Sequence, residues 1–240
     1  MARVYNQHCG LAHALDLIGE RWSLLIVREL LAGPRRYTDL QGGLVGIPTN
    51  VLAGRLREME AGGLLHKHAL PAPASSVVVY ELTPEGESLT GVVDELARWG
   101  MRTLAPTTEG RPFRAHWLVL ALRASFDAIA AKGVSESYEF TIEGDDVISF
   151  TVSNGEGRAS VGAAERPAVR IKADADTFLA LTADALDGVQ AFERGPLIEG
   201  SPAAIARMRR ILPNRRLATA ATAVAGRSLK DRPGSRAAPR

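Results

Sequence analysis

A polar segment rich in proline and glycine, APTTEGRP at Ala105–Pro112, divides this chain of 240 residues into two parts with different patterns. Before this segment, apolar residues recur mainly at helical spacing. After it, they alternate with polar residues over stretches typical of strands. A change of period at a break of this kind indicates two separately built units. We therefore expect domains at residues 1–107 and 112–212, followed by a basic tail at 213–240.

The first half predicts several helices followed by a two-stranded hairpin. RWSLLIVRELLAG is apolar almost all round, which indicates a helix at the centre of a small core. Thr38 can cap a short helix after it, and Pro48 suits the first position of a second helix that ends at Gly62 and Gly63. The strings LLHKHAL and VVVYEL then predict two strands joined by the loop PAPASS. A last helix is expected after the capping residue Thr83.

The second of these short helices is predicted from Ile47 to Ala61. Leu52, Leu56 and Met59 recur in it at helical spacing, which predicts a buried stripe. Its outer face is unusual. Asn50, Gly54 and Arg57 occupy it in place of the Glu/Lys mixture of an ordinary solvated helix. Two short helices joined by a glycine-rich turn, the second with a polar outer face, fit a helix-turn-helix. The hairpin that follows would be the wing of a winged helix.

The first half resembles the HxlR-type winged-helix family of bacterial transcriptional regulators. The strings IGERW, RRYTDL, RLREMEAGGL and YELTPEG occur in the family's order and at its spacing. The resemblance implies a winged-helix fold, a homodimer and an inverted-repeat operator in double-stranded DNA. It also implies that the first helix and the helix ending at Arg102 pair with a second subunit. The alternative is that the latter helix packs only within its own domain.

The candidate DNA-contacting residues precede the motif or lie on its helices and wing. They are Arg35, Arg36, Thr38, Pro48, Thr49, Asn50, Ala53, Gly54, Arg57 and Lys67. Asn50 can donate to and accept from an adenine edge, and Arg57 suits a guanine or a phosphate. Arg55 lies nearer the core side, which favours a structural or phosphate role. The wing tip carries no charge, unlike the basic wing common in the family, and the alternative for the whole face is simple solvation.

Cysteine and histidine usage limits the chemistry of the chain. Cys9 is the single cysteine, so an intrachain disulfide is excluded. Some members of the resembled family sense oxidants with a cysteine at this position, and the alternative is inert packing as a small hydrophobic residue. His66 and His68 share one face of a predicted strand, but no third ligand clusters with them in the sequence. We therefore predict no metal site, no cofactor and, in the absence of a phosphate loop or nucleophile-elbow motif, no enzyme.

The second half predicts an α+β domain, in which an antiparallel meander of about four strands is covered by helices. The string AVRIKADADTFLALTADALDGVQAFERGPLIEGSPAAIARM resembles sterol-carrier-protein-like domains in the order and spacing of its elements. The resemblance implies a site for a small apolar effector. The candidate lining residues are Trp117, Phe140, Phe150, Phe178 and Phe192. The alternative is that these aromatic residues only fill a core.

Charge and hydropathy complete the prediction. Residues 213–240 contain seven Lys or Arg and one Asp. The end of this tail, RSLKDRPGSRAAPR, is poor in apolar residues and is expected to be disordered beyond about Gly226. No apolar run reaches the roughly 18–20 residues that span a bilayer, and the N-terminus lacks a signal-peptide pattern, so we expect a cytoplasmic protein without a membrane partner. The sequence predicts a DNA-binding regulator with an effector module. The alternative is a hydrophobic-ligand binding protein whose winged helix serves for dimerisation or docking.

Overall fold

The computed structural model describes residues 4–71, 76–104, 108, 110–144, 146–182 and 197–213. Phe192, most of the wing tip and nearly all of the basic tail lie outside these residues. The elements of the first half are four helices, a hairpin and two further helices. They are α1 Gly10–Ile18, α2 Ser23–Leu30, α3 Tyr37–Gly43, α4 Thr49–Ala61, β1 Leu65–Leu70, β2 Val77–Leu82, α5 Pro84–Ser88 and α6 Thr90–Met101.

Helix ends in the first half follow local chemistry, with two corrections to the sequence predictions. Pro48 is the extended residue before α4 and not its first helical residue. Thr38 is not the capping residue of α3, because it lies inside the helix. The backbone N–H of Arg36, the residue before the helix, donates to Asp39 Oδ2 at 3.1 Å. The chain leaves α4 through Gly63 at φ +72°, as its glycines predict. Thr83 caps α5 by accepting a hydrogen bond from the Gly86 N–H, also as predicted.

The core of the first half lies around α2, which is where its apolar sequence predicts it. Ile26 and Val27 are fully buried and pack among the apolar sides of α3, α4 and the wing. The predicted stripe of α4, Leu52, Leu56 and Met59, is buried in the same core. Because this stripe is buried, the opposite side of α4 faces solvent.

The second half places helices on a five-stranded sheet. After a short 3-10 helix at Ala115–Trp117, its elements are α7 Leu118–Ser125, β3 Ser135–Ile142, β4 Val147–Ser153, β5 Glu156–Val161, β6 Val169–Ala173, α8 Ala175–Thr182, β7 Leu197–Gly200 and α9 Pro202–Ile211. The strand order is β5-β4-β3-β6-β7. The α+β architecture is confirmed.

Two features of this domain differ from the sequence prediction. The sheet is mixed and not wholly antiparallel, because β6 crosses to the far side of β3 and pairs parallel with it. The string FRAHWLVLALRASFDAIAAKG predicts one long helix. The helix α7 instead ends at Ser125, because Phe126 is extended and its ring packs 5.5 Å from that of Phe150. Local periodicity predicts neither the parallel pairing of β6 nor the end of the helix before Phe126.

The two halves are in direct contact. Helices α6 and α7 pack against each other. Arg123 forms an ion pair with Asp94 at 3.0 Å, and Arg98 Nε donates to the Ala124 carbonyl at 2.9 Å. Leu120 of α7 also packs against the core of the first half. Among the described residues, no helix is both long and apolar enough to cross a bilayer.

Candidate DNA interface and interdomain cavity

The outer face of α4 is open to solvent and held in place by α3. Tyr37 of α3 donates its hydroxyl hydrogen to the Thr49 carbonyl at 2.8 Å, which fixes the start of α4. Thr49, Asn50 and Arg57 are exposed. A Cβ built on Gly54 would meet nothing within 4 Å, so this position also faces open space. The structure thus presents a polar helix face that another molecule can approach closely.

The arginines of α4 differ in their surroundings. Arg57 is exposed, and its Nε donates to the Ala53 carbonyl one turn earlier at 3.2 Å. Arg55 lies on the side of the helix, where it pairs with Glu58 and lies 3.4 Å from Glu20. Arg57 is therefore available to a partner, whereas Arg55 already serves to tie α4 to the segment before α2.

The remaining predicted contacts surround α4. Arg36, Thr38 and Pro48 are exposed, and Ala53 is half-buried. Arg35 is half-buried and exchanges backbone hydrogen bonds with Tyr80 of the wing at 3.0 and 2.8 Å. Lys67 is exposed on β1 and lies opposite Tyr80. Arg35 thus links the start of the motif to the wing.

Apolar side chains are exposed on both α1 and α6. Leu11 of α1 is 70% exposed, and Trp99 of α6 is 71% exposed. Leu15, Val92 and Leu96 are also exposed on these two helices. Exposed apolar patches of this kind mark interaction surfaces when they are contiguous. These side chains, which we call the apolar surface of α1 and α6, lie on the two helices that the family resemblance assigns to subunit pairing.

A cavity of about 880 Å³ lies where the two halves meet. Its wall includes Arg28 of α2 and Met101 of α6 on one side, and the sheet residue Ile171 and helix residue Met208 on the other. The volume is within the roughly 300–1,000 Å³ usual for small-molecule sites. A molecule in this cavity would contact both halves at once.

The predicted aromatic residues separate into two groups. Trp117, Phe140 and Phe178 line the cavity. Phe150 is fully buried away from it and packs on Phe126. Phe192 lies outside the described residues. Three of these aromatics thus bound a cavity and one fills the core, and their role in ligand binding stays a prediction.

A buried carboxylate at the edge of the cavity was missed by the sequence analysis. Glu29 of α2 is 1% exposed. Its carboxylate accepts from Trp117 Nε1 at 2.8 Å and from Arg28 Nε at 3.0 Å, and it lies 2.7 Å from His116 Nε2. Arg28 also lies over the Trp117 ring, 4.2 Å from its centroid. The group of Glu29, Arg28, His116 and Trp117, which we call the Glu29 cluster, joins α2 to two side chains of the second half.

The Glu29 carboxylate is held in its charged form despite its position. Burial acts to raise its pKa, but the hydrogen bond with His116 and the charges of Arg28 and His116 outweigh burial, so the pKa is lowered. A Cβ on Gly43, at the end of α3, would overlap this carboxylate. The cluster therefore contacts both the helix-turn-helix and the cavity wall. The sequence signal that could have suggested it is a glutamate in an otherwise apolar helix.

Cys9 lies at the start of α1 and is exposed. The backbone N–H groups of Ala12 and Leu11 lower the pKa of its thiol, although the little burial it has acts to raise that pKa. Cys9 therefore does not pack in the core of its own chain, and its role as an oxidant sensor stays a prediction.

Helices α3 and α4 with the β1–β2 hairpin define a winged helix-turn-helix protein. Residues 17–108 match the family model described as HxlR-like helix-turn-helix. The regulator YvaP of Bacillus subtilis is 30% identical over 94 residues, which are 39% of this chain and 86% of YvaP. The regulator YodB of the same species is 32% identical over 93 residues, 39% of this chain and 82% of YodB. The chain belongs to the HxlR-like family of transcriptional regulators.

A longer relative and the second half extend the comparison. The uncharacterised regulator Rv3095 of Mycobacterium tuberculosis is 39% identical over 108 residues, which are 44% of this chain and 65% of that protein. Residues 120–213 match the model of the SCP-2 sterol transfer family. The chain thus combines an HxlR-like DNA-binding domain with an SCP-2 domain, and these relatives are regulators and not enzymes.

Proposed function

We propose that the protein is a cytoplasmic transcriptional regulator that binds an inverted-repeat operator as a homodimer, with α4 as its recognition helix. The observation that carries the proposal is the solvent-facing polar side of α4, a helix that α3 holds in place, in a member of the HxlR-like family. Asn50 and Arg57 would read base edges in the major groove, Arg36 would contact phosphates, and Gly54 would let the helix backbone approach DNA.

The test is operator binding by variants of α4. Asn50→Ala and Arg57→Ala should each weaken binding to DNA flanking the protein's own gene by about 1–3 kcal/mol, because each removes a base contact. Arg36→Ala should weaken binding to all sequences alike and reduce its salt dependence. Fluorescence anisotropy over a range of salt concentrations measures both effects.

Gly54→Ala provides the matched variant for this test. A glycine inside a helix costs roughly 0.5–1 kcal/mol relative to alanine, so the change should stabilise the protein in a urea titration. It should at the same time weaken operator binding, because a methyl group would stand between α4 and DNA. A variant that is more stable and binds as well as the wild type, together with a neutral Asn50→Ala, would refute this face as the DNA interface.

A second candidate function is supported by the cavity. A hydrophobic-ligand binding protein would need the cavity but not the polar face of α4, and its winged helix would serve for dimerisation or docking. Measurements of operator binding and of apolar-ligand binding distinguish the two functions. A protein that binds apolar ligands but shows no sequence-specific DNA binding at any salt concentration would favour the second.

We further propose that the cavity binds an apolar effector that changes operator affinity. Apart from arginines and a few small polar residues its lining is apolar, and it includes Arg28, Arg111 and Arg209 but no Asp or Glu among the described residues. This lining suits an apolar molecule with an acidic end, such as a fatty acid. Because the wall includes α2 and α6, an occupant could favour one arrangement of the two halves over another.

Effector binding is tested with a long-chain fatty acid as probe. We expect saturable binding by calorimetry and a change in operator affinity of about 5–150-fold, which corresponds to a coupling of roughly 1–3 kcal/mol. Ala121→Phe should block binding, since Ala121 lines the cavity. Ala128→Phe, at an exposed position outside it, is the control. Equal binding by both variants would place the ligand elsewhere.

A further inference from the structure

The wing carries a cluster of three potential metal ligands. The antiparallel register of the hairpin sets Glu81 of β2 opposite His66 of β1. Since His66 and His68 are two residues apart on one strand, all three side chains project from the same face. Their nearest ligand atoms lie within 4.8 Å of one another. The third ligand cannot be recognised in the sequence, because only the pairing of the strands brings Glu81 to the histidines.

The distances in the cluster approach those of a tetrahedral site. His68 Nε2 lies 3.4 Å from Glu81 Oε2, and His66 Nε2 lies 3.7 Å from the same oxygen. Ligand atoms bound tetrahedrally to Zn²⁺ at about 2.0–2.1 Å are about 3.3–3.4 Å apart. The first distance already matches. The second needs a shift of a few tenths of an ångström. The ligand nitrogens of His66 and His68, which lie within 4.8 Å of each other, must also come to the tetrahedral spacing. The side chain of His66 is 48% exposed and has room to turn.

We propose that His66, His68 and Glu81 bind a divalent transition-metal ion, with Zn²⁺ as the preferred ion. Two imidazole nitrogens and one carboxylate oxygen are a donor set that Zn²⁺ uses, with water in the fourth position. Mg²⁺ and Ca²⁺ favour sites made of oxygen alone. His68 Nδ1 is buried without a hydrogen-bond partner among the described residues, so Nε2 is the nitrogen of this ring that faces the site.

A metal ion here would change the charge of the wing. From Leu65 to Leu82 the sequence contains one Lys and one Glu, and the ion would add two positive charges to this neutral segment. It would also tie β1 to β2. If the proposed DNA-binding function holds, on which this consequence rests, the metal-loaded wing should strengthen phosphate contacts.

The site is tested on the full chain after metal removal by a chelator. Titration with Zn²⁺ against a chromophoric chelator should show one ion per chain with a micromolar Kd, and Co²⁺ should give the visible absorption of tetrahedral coordination. Removal of a residue that only supports a metal ligand costs roughly 10–100-fold in metal affinity. Glu81→Gln and His66→Ala each alter a direct ligand, so each should lose at least that much affinity for Zn²⁺. Mg²⁺ should not compete.

Two matched controls exclude other ligands. His13→Ala removes an exposed histidine outside the cluster, and Cys9→Ser removes the single thiol. Both should bind Zn²⁺ as the wild type does. Unchanged affinity in His66→Ala and Glu81→Gln, or loss of binding in Cys9→Ser, would overturn the site. Circular dichroism of Glu81→Gln verifies that the hairpin is still folded.

Operator binding with and without Zn²⁺ separates this proposal from the function on which its consequence rests. Absence of operator binding in both states would refute DNA binding, while the metal titration would stand by itself. Absence of Zn²⁺ binding would refute the site, while operator binding by the metal-free protein would stand. The expected result is binding in both states, several-fold tighter and more salt-dependent with Zn²⁺.

Discussion

Glu29→Ala is expected to lower the free energy of unfolding by about 3–5 kcal/mol, the cost of breaking a buried charged pair by removing one partner. The carboxylate accepts hydrogen bonds from Arg28 and Trp117 and pairs with His116, so its removal leaves three polar groups without their partner. Two of them belong to the second half. The variant should therefore also weaken the attachment of that half to α2. Urea titration followed by Trp fluorescence measures the loss.

The control and the pH dependence of this effect are defined by the surroundings of the carboxylate. Glu20→Ala removes an exposed glutamate 3.4 Å from Arg55 and should cost at most about 1 kcal/mol. The pKa of Glu29 is lowered from its ordinary value of 4.5. Its contribution to the free energy of unfolding is therefore complete above pH 4.5 and is lost as the pH falls through the lowered pKa. The difference between wild type and Glu29→Ala should shrink there. A loss no larger than that of Glu20→Ala at neutral pH would contradict the structural role of the cluster.

Trp99→Asp is expected to convert the proposed homodimer to monomers and to weaken operator binding by about 10²–10⁴-fold, since the second half-site would no longer be bound by a linked subunit. Trp99 is 71% exposed and lies on the apolar surface of α1 and α6. A carboxylate at the centre of an apolar interface would be buried without a partner, which is strongly unfavourable. Analytical ultracentrifugation measures the mass, and fluorescence anisotropy measures the affinity.

The matched control for the dimer is Ile129→Asp. Ile129 is 89% exposed and lies in the turn after α7, on the second half of the chain. It introduces the same charge at an exposed apolar position outside the α1–α6 surface, so mass and operator affinity should be unchanged. A Trp99→Asp protein that remains dimeric would show that the subunits pair through another surface.

The sequence determined the elements whose causes are local. The capping hydroxyl of Thr83, the left-handed turn at Gly63 and the apolar stripe of Leu52, Leu56 and Met59 all act within a few residues, and the structure shows each where it was predicted. The helix-turn-helix, the hairpin and the exposed face of α4 follow from such signals. The order of short motifs was sufficient to indicate the family of the first half.

Only the tertiary structure decided which distant residues meet. The parallel pairing of β6 with β3, the meeting of Glu29 with His116 and Trp117, and the cross-strand approach of Glu81 to His66 all join positions that no local period relates. The cavity likewise exists because α2 and α6 of one half close over the sheet and helices of the other. Periodicity states which face of an element is apolar, but the partner of that face depends on chain crossings and on packing between elements far apart in sequence.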